Sequence, residues 1–229
     1  MPEPRQARSR ETQEKLVNAA LELVAERGRE GPSVPEIAQR AGVSVGAFYG
    51  RFPTKEALFD HVDKQLFEES ARCWVDFLTP ENWRGRHAAE IVREVVRAWV
   101  EAVANHHPLN RALTERWRSA PPSAVVRQAA KAHYEAIFEA LGRLLEERRG
   151  EVAHPDPRLA AKVLIEVIDA VLVERLTFSD TFLVPHRLSR TALVEELTAL
   201  GTGYLGLAPG RTRTATIPRP PLRIPALNL

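Results

Sequence analysis

The 229-residue chain has a single cysteine, Cys73, and a single methionine, its first residue. One cysteine excludes an intrachain disulfide and any metal site built on several thiolates, and it fits a reducing compartment such as the cytoplasm. An excess of one charge is also lacking. The 32 Lys and Arg against 30 Asp and Glu leave a formal net charge of +2, too little by itself to demand a nucleic-acid partner. No apolar run approaches the ~20 residues of a membrane span. The opening stretch MPEPRQARSRETQEK has no apolar core, so it does not read as a secretory signal. Alternating apolar and polar residues and hairpin dipeptides are missing too, so no strand is expected.

What the chain does have is helical spacing along most of its length. Leu16, Ala19, Ala20, Leu23 and Val24 form the stripe of a first helix from about Ser9 to Arg27, with Gly28 as its stop. Short helices follow from Ser33 and from Ser44. Pro53 closes the second of these, and Thr54 caps a long helix that stops near Thr79-Pro80. Further helical segments end before Pro108, before Pro121 and at Gly150. Asp156-Pro157 and Ser189 open the last two. About nine helices and an all-α fold are predicted. The expected organisation is a basic arm over residues 1–8, a helical domain over 9–54, a larger helical domain over 55–207 and a tail over 208–229. The tail carries five prolines and four arginines and no acid, a composition that reads as disordered and basic.

The stretch AGVSVGAFYGRF, from Ala41 to Phe52, contains G-x-S-x-G, the letters of a serine-hydrolase nucleophile elbow. An elbow requires a buried strand before the serine. Here Ile37, Ala38 and Ala41 have helical spacing, and Ser33 with Glu36 forms a capping box. Gly42 reads as a left-handed helix cap. Ser44 reads as an N-cap, and Val43 with Phe48 as a hydrophobic staple. The reading is helix, tight turn, helix, not elbow, and no catalytic residue is expected. Phe48 and Phe52 would then point inward. Val45, Gly46, Tyr49 and Gly50 would face outward, flanked by Ala47 and Arg51. In a DNA major groove Val45 and Ala47 suit thymine methyls, while Tyr49 and Lys55 suit phosphates. Residues 1–60 balance nine Lys and Arg against nine Asp and Glu. That neutrality also fits a helical interaction module without DNA binding. Arg5, Arg8 and Arg10 read either as an arm along DNA or as a frayed terminus.

Residues 9–59 resemble the DNA-binding domain of the TetR (tetracycline repressor) family. The resemblance rests on Ser33, Ile37, Ala38, Ala41-Gly42-Val43-Ser44, Phe48-Tyr49, Phe52-Pro53 and Lys55-Glu56-Ala57-Leu58. It implies a dimeric regulator, not an enzyme, that binds a palindromic operator in double-stranded DNA and is released by a small molecule. Ser33, Ser44, Tyr49 and Lys55 match backbone-contacting positions, and Val45, Gly46 and Ala47 match the base-reading face. Gly50 departs from the bulkier residue usual there.

The resemblance further implies dimerisation through about 157–178 and 190–206. The expected stripes are Leu159, Val163, Val167 and Val171 on one helix and Leu193, Leu197 and Leu200 on the other. It implies an effector pocket, for which Phe77, Trp99, Leu113, Trp117, Tyr134 and Phe138 are the candidates; an ordinary core explains the same aromatics. Glu166 and Asp169 share a helix face and read as a solvated acidic surface, with a cationic ligand as the alternative. His106-His107 point apart and make a poor metal pair, and His133 reads as a core histidine. No metal and no cofactor are expected.

Overall fold

The computed structural model describes residues 4–27, 32–105, 111, 114–117, 120–177 and 188–207. The expected stop at Gly28, the pocket candidate Leu113, the pair His106-His107, residue 178 and the whole 208–229 tail lie outside these. The described residues are helical and contain no strand. They form two units. One holds the described parts of residues 1–69 and 108–130, the other those of 70–107 and 131–207.

The first unit opens with α1, Pro4–Arg27. It starts five residues before the expected Ser9, so the segment expected as a flexible arm is helical from Pro4. The ring of Pro4 fixes φ near the helical value, and its missing N–H is one the first turn leaves unpaired anyway. Next come α2, Val34–Arg40, α3, Val45–Tyr49, and α4, Lys55–Phe77. Local hydrogen bonds set each boundary. At α2 the Glu36 N–H donates to Ser33 Oγ at 3.4 Å and the Ser33 N–H donates to Glu36 Oε2 at 2.9 Å, a complete capping box. At its end Gly42 has φ +67, where a side chain would be strained. The Gly42 N–H bonds Gln39 O at 3.1 Å, and the Val43 N–H bonds Ala38 O at 2.9 Å. Thr54 caps α4 by accepting the Ala57 N–H at 3.0 Å. Leu16, Leu23, Ile37, Phe48, Phe52, Leu58 and Val62 close around one core.

In the second unit the end of α4 leads to a 3-10 turn, Pro80–Trp83. There follow α5, Ala88–Asn105, α6, Ala124–Glu146, and α7, Pro157–Leu172. A π turn, Val173–Thr177, precedes α8, Arg190–Leu205. The first seven residues of α6 belong to the first unit. Helices α5, α7 and α8 pack on one another. The approach is close at Gly201, where a methyl group would sit 2.9 Å from Leu164 and 3.1 Å from Val92. Arg148 ties the end of α6 to the 3-10 turn by donating to Trp83 O at 2.6 Å and Arg86 O at 2.7 Å.

The last two helices correct one expectation. Leu193 and Leu197 are buried in their own unit, while Leu200 is exposed. Leu159 and Val167 are exposed, and Val163 and Val171 are half-buried. The apolar residues of α8 therefore divide between an inner and an outer face.

His133 is buried on α6, and burial lowers its pKa from the ordinary 6.5 to about 4. The unfolded chain takes up this proton near pH 6.5 and the folded chain only near pH 4. Its contribution to stability is therefore lost as pH falls between those values, by at most about 3 kcal/mol. Denaturation midpoints measured from pH 7 to pH 4 should fall less steeply for His133→Gln than for the parent. Equal slopes would show that this imidazole is not the source.

Candidate nucleic-acid interface and aromatic core

The serine of G-x-S-x-G is a helix cap. Ser44 Oγ accepts the Ala47 N–H at 3.1 Å. Its backbone is extended, and the segment before it is helix and turn, not strand. The elbow reading therefore fails on local geometry. Because the oxygen accepts from Ala47, the Ser44 O–H proton remains available to an outside acceptor. Ser33 differs. Its Oγ donates to Glu36 Oε2 at 2.7 Å, so an outside phosphate would have to compete with that carboxylate.

Helix α3 is anchored by one side chain. Phe48 is fully buried, with Phe52 at a ring-centroid distance of 6.0 Å and Val43 packed on the same core. The opposite side faces solvent. Val45 is 40% and Tyr49 54% exposed, Gly46, Gly50 and Arg51 are exposed, and Ala47 and Lys55 are half-buried. The eight residues expected to meet DNA thus lie at the starts of α2, α3 and α4, at the last residue of α3 and in the turn after it. Gly50 keeps a right-handed backbone (φ −69), and a methyl group there would come no closer than 3.4 Å to Gly46 O. Neither backbone nor space requires glycine at this position.

The neutral balance of residues 1–60 hides a local surplus. Glu22 and Glu26 hold Arg40 at 3.2 and 2.9 Å, and Glu11 holds Lys15 at 2.7 Å. Among the described residues Arg51 and Lys55 have no carboxylate partner. The cations beside α3 are thus unpaired, whereas Lys15 of α1 and Arg40 of α2 are held by carboxylates.

The candidate pocket residues do not form one group. Trp117 belongs to the first unit, where it stacks on Phe67 at 5.6 Å and 13°. Phe77, Trp99, Tyr134 and Phe138 belong to the second. Trp99 lies against Trp74 at 4.5 Å, and Phe77 meets the edges of Trp74 and Trp83. Periodicity could not separate these aromatics, because a helical stripe does not say which neighbour it faces.

Sequence reasoning also misplaced Asp169. Glu166 is exposed and lies 3.9 Å from Lys162. Asp169 turns inward. Its Oδ1 accepts the Trp99 Nε1–H at 3.1 Å and its Oδ2 accepts the Tyr134 hydroxyl at 2.9 Å. Burial pushes the Asp169 carboxyl up, and these two donors partly offset the shift. Burial and then the nearby carboxylate push the Tyr134 phenol above its ordinary value, which keeps it a donor. The result is one polar cluster shared by α5, α6 and α7 within an apolar core.

A surface cleft of about 450 Å³ is lined by residues of 80–87 and 147–151 and includes none of the six candidates. Among the described residues no cluster of His, Cys, Asp and Glu could hold a metal ion, and no helix is long and apolar enough to cross a membrane.

Comparison with known proteins gives the chain its family. Residues 16–62 match the description "Bacterial regulatory proteins, tetR family". Residues 90–205, which are 116 of 229, match "Tetracyclin repressor-like, C-terminal domain". An uncharacterised HTH-type transcriptional regulator of Bacillus subtilis, YuxN, is 45% identical over 49 residues, 21% of this chain and 17% of that protein. The chain thus matches less than a fifth of that relative's length. The fatty acid metabolism regulator protein of B. subtilis is 26% identical over 157 residues, 67% of this chain and 78% of that one. The crystal structure of the regulator FadR from B. subtilis in complex with stearoyl-CoA shares the fold, with a TM-score of 0.59 at 21% identity over 83% of this chain and 96% of that one. Because both halves match and the second match alone exceeds half its length, the chain belongs to the TetR family of bacterial transcriptional regulators, which are not enzymes.

Proposed function

We propose that the chain is a homodimeric, DNA-binding repressor whose α3 enters the major groove of each half of a palindromic operator. The observation that carries this reading is the division of α3 between a buried Phe48 and an exposed Val45 and Tyr49, within the segment that matches the family. Val45, Gly46 and Ala47 face the bases. Ser44, Tyr49, Arg51 and Lys55 hold the phosphates, and Ser33 contributes where its hydroxyl leaves Glu36. Two such helices must be held one helical turn of DNA apart, ~34–36 Å, or a multiple of it, so a dimer is required.

The outward residues Leu159 and Val167 of α7 and Leu200 and Tyr204 of α8 support a dimer face. Four large apolar side chains exposed on two adjacent helices are better explained by a second copy than by water. Leu193 and Leu197 take no part in that face. The effector is a small amphipathic molecule received among the helices of the second unit. Trp99, Phe77, Tyr134 and Phe138 supply apolar surface there, and Asp169 supplies the polar mark. The relative named for fatty acid metabolism and the neighbour holding stearoyl-CoA favour an acyl chain as the apolar part. Binding would favour a spacing of the α3 pair that no longer fits the operator.

Selection from a random duplex pool at moderate salt tests this. The expected result is an enriched palindrome bound by two chains per duplex and released by a long-chain acyl-CoA. Binding whose affinity vanishes with added salt, without sequence preference, would refute it.

A further inference from the structure

The exposed side of α3 is poor in the groups that usually read bases. Among Val45, Gly46, Ala47, Tyr49 and Gly50 there is no Arg, Lys, Asn, Gln, Asp or Glu. The paired hydrogen bonds that single out guanine come from Arg or Lys, and those that single out adenine from Asn or Gln. Neither is available within α3 itself, and the nearest such side chain, Arg51, lies in the turn after it. Tyr49 offers one hydroxyl, which cannot make such a pair. The apolar side chains are instead presented. Val45 is 40% exposed although it precedes a fully buried phenylalanine by three residues, and Ala47 lies beside it, half-buried. Nothing in the unit's own core claims the Val45 methyls. Gly46 and Gly50 carry no side chain that would hold Val45 away from an opposing surface, and a methyl at Gly46 would meet nothing closer than Ser44 Oγ at 3.8 Å.

Resting on the DNA-binding reading above, we propose that this protein selects its operator chiefly through thymine C5-methyl groups in the major groove, gripped by Val45 and Ala47. Phosphate contacts from Arg51 and Lys55 set register without reading sequence. The operator half-site is then a thymine-rich step, and its hydrogen-bonding pattern matters less than its methyl groups.

Uracil substitution separates the two, because uracil keeps every hydrogen-bonding group of thymine and lacks only the methyl. The duplex enriched by selection is resynthesised with uracil at single thymine positions, and affinity for the full chain is measured by fluorescence anisotropy. At one or two positions per half-site affinity should fall about fourfold for each methyl removed. Val45→Ala should bind the parent duplex more weakly and show no further loss at the position Val45 grips. The exposed position makes this variant safe for folding, which a thermal melt confirms. A uracil scan flat to within twofold, on a duplex that is still bound selectively, overturns the methyl reading and leaves DNA binding intact. Undiminished uracil sensitivity in Val45→Ala also overturns it. Absence of any selected sequence overturns the DNA-binding reading itself, and this inference with it.

Discussion

Arg116→Met is expected to destabilise the first unit by about 3 kcal/mol, a large share of the stability of an ordinary domain. Arg116 Nη1 donates to Asp63 Oδ2 at 2.8 Å, and Nη2 donates to Asp60 Oδ1 at 2.5 Å. Asp63 is fully buried. Taking the guanidinium away leaves two carboxylates one helical turn apart on α4, one of them out of reach of water. Breaking such a pair from one side costs far more than the pair contributes, because the remaining charge keeps its desolvation penalty. The same argument predicts that Arg116→Met with Asp63→Leu recovers most of the loss, since an apolar replacement of both partners is close to neutral. Urea denaturation of the parent and the two variants measures this. A loss below about 1 kcal/mol for the single variant would mean that the pair behaves as a solvated surface contact.

Phe48→Ala and Tyr49→Ala, one residue apart on α3, should fail in different ways. Phe48 is fully buried, and α3 has no other buried anchor. Its truncation should cost about 3–5 kcal/mol through lost transfer energy and a cavity beside Phe52 and Ile37. DNA binding would fall with the folded fraction and return on cooling or in stabilising osmolyte. Tyr49 is more than half exposed and touches Phe48 edge-on at 5.4 Å. Its truncation should change stability by less than about 1 kcal/mol. It should weaken binding to every duplex alike and reduce the salt dependence, as loss of a phosphate contact does. Thermal melts paired with titrations at two salt concentrations distinguish the two. A fully folded Tyr49→Ala with unchanged affinity would remove Tyr49 from the interface.

The features legible in the sequence are those made by hydrogen bonds between near neighbours. The capping box of Ser33 and Glu36, the left-handed turn at Gly42, and the caps at Ser44, Thr54, Asp156 and Ser189 each close within five residues. They need no knowledge of the rest of the chain. The exposed side of α3 followed from them, because fixing the cap and burying Phe48 leaves a single arrangement for Val45 and Tyr49. Helix α1 starts at Pro4 and not at the expected Ser9; its first turn has no apolar stripe to mark it in the sequence.

Tertiary structure decided what periodicity leaves open. A spacing of three and four says which residues share a face and not what that face meets. Leu193 and Leu197 lie on the stripe that includes Leu200, yet the first two are inside and the third is outside. Glu166 and Asp169 are one turn apart, yet one meets water and the other meets Trp99 and Tyr134. Trp117 stacks on Phe67 and Arg116 reaches Asp63 across about fifty residues of chain. The sequence alone therefore determined the all-helical class, the helix ends closed by these local caps and the exposed face of α3. Which apolar faces close on which, and which charges are carried inside, depended on contacts between residues far apart in the chain, and local signals carry no record of those.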